Sequence, residues 1–177
     1  MSEILLDVET QRLHHEVPGG WNNIRGFGLA LAVTWDEQAG FRTWYETDAV
    51  TLVEELACFP RVVGYNLLRF DYTVLSAYQP QIHTLLQGKT LDLLVDLTRR
   101  LGFRPSLEKV AQATLHRGKS ADGLAAVRWF RAGQIDKVAA YCQEDVGLTH
   151  DIYEYGKHQG YVLYLDRGRP ARVVVQW

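Results

Sequence analysis

In EILLDVET, residues 3–10, Ile4, Leu6 and Val8 alternate with Leu5, Asp7 and Glu9. Side chains alternate across a strand, so this pattern predicts a strand with one apolar face and two neighbouring carboxylates on the other. A polar, glycine-rich stretch follows, HHEVPGGWNN. Then IRGFGLALAVTW and GFRTWYE predict two strands joined by a turn around Asp36 to Gly40, completing an antiparallel meander.

From Thr47 the period changes. Leu52, Val53, Leu56 and Ala57 recur at helical spacing, Thr47 or Asp48 suits the N-cap, and Pro60 stops the run. RVVGYN is then a short apolar strand. Strand, helix and strand in that order require a crossover and a parallel pair, which gives a mixed sheet with helices on its faces. The expected fold class is α/β.

Beyond Asn66 the spacing predicts helices over about Phe70 to Tyr78, Leu91 to Leu101, Ser106 to Thr114, Asp122 to Phe130 and Gln134 to Tyr155. In the last, Ile135, Val138, Cys142, Val146, Thr149 and Tyr153 form one stripe, and Gly156 is expected to stop it. GYVLYLDRGRPARVVVQW predicts a terminal β-hairpin about the turn signal DRGRP. It could extend the sheet edge, cover a helix face or pair with a second copy of the chain. Residues 1–156 are expected to form the main domain, with 157–177 a hairpin extension of it.

Composition narrows the class. At 177 residues, 47% hydrophobic and 23% charged, the chain is an ordinary globule, which excludes disordered and fibrous readings. A formal net charge of −2 withdraws the simple argument for nucleic-acid binding from a basic domain. Cations held by clustered carboxylates would reverse the local sign of the field. Cys58 and Cys142 lie far apart outside any CxxC pattern, so neither a disulfide framework nor a zinc site is indicated, and a reducing cytoplasm is the expected compartment. No apolar run is long enough for a bilayer and the start is acidic, so neither membrane insertion nor export is expected.

Three acidic fragments stand beside predicted core elements: LLDVET, GYNLLRFDY and AYCQEDV. Singly, each has an ordinary reading. A D-x-E on a strand can face solvent, Asp71 can cap a helix, and Tyr141 can fill the core. In the third fragment Tyr141 and Asp145 are four apart on a helix and share a face, while Glu144 is turned away. Asp71 falls at the carboxyl end of a sheet strand, where ligands of α/β folds bind.

Together and in order, D-x-E, N-x-x-x-F-D and Y-x-x-x-D resemble the three exonuclease motifs of the DEDDy branch of DnaQ-like 3′-5′ exonucleases, in the ribonuclease H-like superfamily. The stretch YCQEDVGLTHDIYEYG, preceded by GKSADGLAAVRWF, looks especially like YprB-type helicase-associated domains and family B polymerase exonuclease domains. The resemblance spans Asp7 to Asp145. It implies a ribonuclease H-like fold in which Asp7, Glu9, Asp71 and Asp145 hold two divalent cations and Tyr141 orients the attacking water. It also implies that Thr10 and Asn66 lie beside the terminal nucleotide, with Phe70 a packing residue. The implied substrate is single-stranded nucleic acid with a free 3′ end, DNA or RNA, with a helicase or polymerase as a partner.

The chemistry suits those residue types. Four close carboxylates repel one another, and at least one keeps its proton unless cations cancel the charge. Paired divalent ions steady the attacking and leaving oxygens of an in-line displacement at phosphorus, and oxygen ligands favour Mg²⁺ or Mn²⁺ over zinc. Lys119, in HRGKS, is a candidate phosphate contact. Trp21, in the loop after the first motif, could stack on a base, but packing against its own domain is the preferred reading. Cys142 is expected to be an inert core thiol. The competing functions are a docking or nucleic-acid-binding module without turnover, and a glycosidase, which leaves Asp71, Tyr141 and Asp145 without a role.

Overall fold

The computed structural model describes residues 3–177. Five strands form the central sheet in the order β3-β2-β1-β4-β5. They are β1 (Ile4–Thr10), β2 (Leu29–Asp36), β3 (Gly40–Tyr45), β4 (Val62–Gly64) and β5 (Thr90–Asp92). Strand β1 is central, antiparallel to β2 and parallel to β4, so the sheet is mixed as the strand, helix, strand order requires. Asp36 closes the β2–β3 turn by accepting the N–H groups of Gln38 and Ala39, each at 3.0 Å.

Seven α-helices surround the sheet: α1 (Ala49–Cys58), α2 (Tyr72–Leu75), α3 (Ile82–Leu85), α4 (Leu93–Leu101), α5 (Leu107–Leu115), α6 (Gly123–Arg131) and α7 (Ile135–Gln159). The alternation along β1 separates two cores. Ile4, Leu6 and Val8 bury against Leu52, Val53 and Leu56 of α1. On the other face Leu5 buries with Leu97, Val110, Val138, Cys142 and Val146. Asp7 and Glu9 follow Leu5 on that second face, beneath α7.

Several elements depart from the sequence expectation. The strand expected from Ile24 begins only at Leu29, because Ile24–Phe27 is a 3₁₀ turn that buries Ile24 and Phe27 three residues apart. The helix expected over 70–78 divides into a π turn at Leu67–Asp71 and the short α2. The helix expected from Leu91 begins at Leu93, since Thr90–Asp92 adds a fifth strand beside β4. Gly156 does not stop α7. It lies buried in the last turn of the helix against Trp177, where an added Cβ would meet the indole at 2.4 Å, and Gly160 at φ 73° makes the C-cap.

The terminal hairpin, β6 (Tyr161–Asp166) and β7 (Arg169–Val174), is a separate two-stranded sheet that turns through Arg167 and Gly168, both at positive φ. It does not join the central sheet, and it covers a helix face. Thr114 of α5 exchanges hydrogen bonds with the backbone of Leu163, and beyond β7 Trp177 Nε1 donates to Asp96 of α4 at 2.9 Å. Among the described residues no helix is long and apolar enough to cross a membrane.

Candidate active site

The site forms where β1 outruns its parallel neighbour. The β1–β4 pairing ends at Leu5–Val63, so the far half of β1 has an open ladder side. The chain leaving β4 fills it. Gly64 permits a close approach, since a Cβ there would meet the Leu6 carbonyl at 2.8 Å. Asn66 then adopts the left-handed conformation at φ 75°, and the π turn carries Asp71 inward. Asp71 Oδ1 accepts the Val8 N–H at 3.0 Å, which ties the second acidic fragment to the first.

Asp92 braces this junction. Its carboxylate accepts from the N–H groups of Asn66 (2.9 Å) and Leu68 (3.0 Å) while capping α4 at Leu94 and Val95. The sequence reading missed its role. The available signal was an aspartate immediately before the apolar-periodic start of a helix.

The third fragment arrives from above. Helix α7 crosses the face that bears Asp7 and Glu9, and its one-turn spacing presents Tyr141 and Asp145 together. Asp7, Glu9, Thr10, Asp71, Lys119, Tyr141 and Asp145 all line one open cavity of about 360 Å³. Asn66 does not reach it. That residue lines a neighbouring hollow, with its Oδ1 held by Arg104 at 2.6 Å. Arg12, which the sequence gave no reason to select, also lines the acidic cavity, and its guanidinium donates to the Gly26 carbonyl.

The acids are held at an electrostatic cost. Asp71 and Asp145 are only 2% and 4% exposed, and Glu9 is buried. Burial, then the charge of Asp145, raises the Asp7 carboxyl to about 7. Glu9 is pushed well up by burial and then by Asp7 and Asp145, and Asp71 by burial and then Asp7. Asp145 is also raised by burial, although Lys119 opposes this with Nζ at 2.5 Å from Oδ2. Its other oxygen, Oδ1, is buried without a hydrogen-bond partner among the described residues.

The carboxylates of Asp7 and Glu9 and the thiol of Cys142 lie within 4.8 Å of one another, a grouping able to hold a metal ion. Asp71 and Asp145 line the same cavity outside that tightest group. Cys142 was expected to be an inert core thiol. It is buried, but it also touches the site, with Sγ 3.4 Å from Asp7 Oδ2. Burial and the charge of Asp7 raise its pKa, so it is a protonated neighbour of the acids. The partnerless Asp145 oxygen and the raised acids fit a bound cation, and with Cys142 protonated the donors offered by Asp7 and Glu9 are carboxylate oxygens, which suit divalent cations of the hard type.

Tyr141 is buried, with its ring edge-on to Trp129 and the Lys119 ammonium 4.9 Å from its centroid. Burial and Asp145 raise its pKa, so the phenol keeps its proton. Burial would lower the pKa of Lys119, but Asp145 more than offsets this and the ammonium stays charged. Glu144 points away and holds the Ser120 hydroxyl and N–H. Trp21 packs against its own domain as expected, stacked on His14 at 5.0 Å and edge-on to Phe27, and 53% of it stays exposed at the cavity edge.

A family model described as the RNase_H superfamily matches residues 4–156, most of the chain. The chain belongs to this superfamily. Its mixed five-stranded sheet with flanking helices is the RNase H-like fold, to which the C-terminal hairpin is added. Among solved structures it is similar to the family B DNA polymerase from the hyperthermophilic archaeon Pyrobaculum calidifontis, with 16% identity and a TM-score of 0.61. That match covers 88% of this RNase H superfamily chain and 24% of the polymerase chain, and at this identity the likeness is one of fold. No curated protein matches the chain by sequence.

Proposed function

We propose that the protein is a metal-dependent 3′-5′ exonuclease of the DEDDy type, hydrolysing phosphodiester bonds at the 3′ end of single-stranded DNA or RNA. One observation carries the reading: four carboxylates from three distant segments line a single cavity, with one buried oxygen of Asp145 left without a partner. Superfamily membership and the shared fold of a DNA polymerase are in keeping with a nucleic-acid substrate.

Asp7, Glu9, Asp71 and Asp145 would hold two divalent cations, Mg²⁺ or Mn²⁺. When bound, such a pair supplies the positive charge that steadies the attacking and leaving oxygens of an in-line displacement. Tyr141 keeps its proton, and its phenol oxygen can accept a hydrogen bond from the attacking water, which fixes the direction of attack towards phosphorus. Water oxygen bonds to phosphorus as the bond to the 3′ oxygen of the preceding nucleotide breaks; the water gives up a proton, the leaving 3′ oxygen takes one to become a hydroxyl, and a 5′-mononucleotide leaves. Lys119, still charged, lies within the same cavity and is suited to a non-bridging phosphate oxygen. Thr10 borders the space for the terminal nucleotide. A docking module without turnover would give the buried, mutually repelling acids no compensation.

Single strands labelled at either end, with Mg²⁺, Mn²⁺ or chelator, test the proposal beside Asp7→Ala. The expected result is mononucleotide release from the 3′ end, abolished by chelator and in the variant. Cleavage that persists undiminished in Asp7→Ala would contradict this mechanism, and no cleavage under any condition would return the protein to the docking class.

A further inference from the structure

Other hollows adjoin the acidic cavity across shared wall residues. Trp21 and Phe70 also line a second hollow of about 280 Å³ with Asn66, Arg69 and Arg104. Arg104 in turn lines a third hollow with Phe103, Lys109 and Tyr164. Shared wall residues set the three hollows side by side, and the line they form, from the acids past Trp21 and Phe70 to the terminal hairpin, is a candidate furrow for an extended ligand.

The furrow changes character as it leaves the acids. Neither outer hollow has a carboxylate in its wall, although the chain carries a formal net charge of −2. Among the described residues the side chains of Arg69 and Lys109 have no hydrogen-bond or ion-pair partner. Arg104 is held only by Asn66, which leaves most of its planar donor fork open. Between these cations stand exposed aromatic surfaces: Trp21, and Phe103 at 47% exposure, which packs against Tyr164 at 5.7 Å between ring centroids.

We propose that this furrow is a binding track for single-stranded nucleic acid, with Arg69, Arg104 and Lys109 on successive phosphates and Trp21 and Phe103 as stacking surfaces for bases. Interleaved cations and aromatic faces are what hold a single strand without reading its sequence. The direction of the strand rests on the exonuclease reading: the 3′ end lies at the acids and the 5′ portion runs towards the hairpin. Asn66 is then a positioning residue, orienting the Arg104 guanidinium. The hairpin gains a role, because Tyr164 of β6 forms part of the outer wall. An acidic protein segment would use the cations but leave the aromatic faces bare.

Fluorescence anisotropy with a labelled single strand tests the track, in chelator so that nothing is cut. The Arg69→Gln/Arg104→Gln double variant and Phe103→Ala are each expected to raise Kd about tenfold. In the double variant the dependence of log affinity on log salt should also flatten by about 1.4, at ~0.7 for each lost phosphate contact. Unchanged Kd in both variants overturns the track, as does a poly-glutamate peptide that competes as well as a strand of equal charge. Hydrolysis of the p-nitrophenyl ester of thymidine 5′-monophosphate reports on the acidic cavity alone. Failure there strikes the exonuclease reading, and strand binding still decides the track.

Discussion

Burial and the charge of Asp145 hold the Asp7 carboxyl at about 7, against an ordinary 3.8. A carboxyl with a raised folded-state pKa contributes stability that is fully present below 3.8 and lost as pH rises through about 7. The metal-free Tm should therefore fall between pH 5 and pH 8, and Asp7→Asn should be more stable than the parent at pH 8 while inactive. Each kcal/mol relieved would raise Tm by about 2–4 °C for a chain of this size, readable by circular dichroism. A variant less stable than the parent at pH 8 would contradict the account of the strained acids. These acids were legible in the sequence only as a set, because singly each has an ordinary role and it is their order and spacing that resemble the exonuclease motifs. The placement of Asn66 and the exposed half of Trp21 were not legible. Their directions depend on a left-handed residue and on a chain of 3₁₀ turns, neither of which leaves a periodic pattern.

At the scale of elements, the meander, the crossover and the long helix could be read because their apolar periods run over many residues. β5 could not, since three residues before a capped helix carry no alternation, and DLLVDL reads as helix from its first residue. Gly156 misled for a different reason. Glycine serves both as a helix stop and as the place where a bulky neighbour approaches a helix, and only Trp177, far along the chain, decides between them. Gly156→Ala should displace the indole and loosen the hairpin, costing about 1–3 kcal/mol by overpacking. Thermal denaturation should show this as a lowered Tm with cleavage retained at low temperature. An unchanged Tm would mean that the hairpin is not seated through this contact.

For the whole molecule, a net charge of −2 conceals an uneven distribution: carboxylates crowd one end of the furrow and cations line the rest. Divalent ions would reverse the sign at the acidic end and make the furrow uniformly attractive to a polyanion. The chain's own strand order, the π turn and α7 all serve to bring the four acids to one wall, so the proposed mechanism turns on a bound cation pair. Crystals soaked in Mn²⁺ and measured for anomalous scattering test it most directly. Two peaks about 3.5–4 Å apart are expected among Asp7, Glu9, Asp71 and Asp145. An acidic cavity without anomalous density, with manganese bound only elsewhere on the surface, would contradict it.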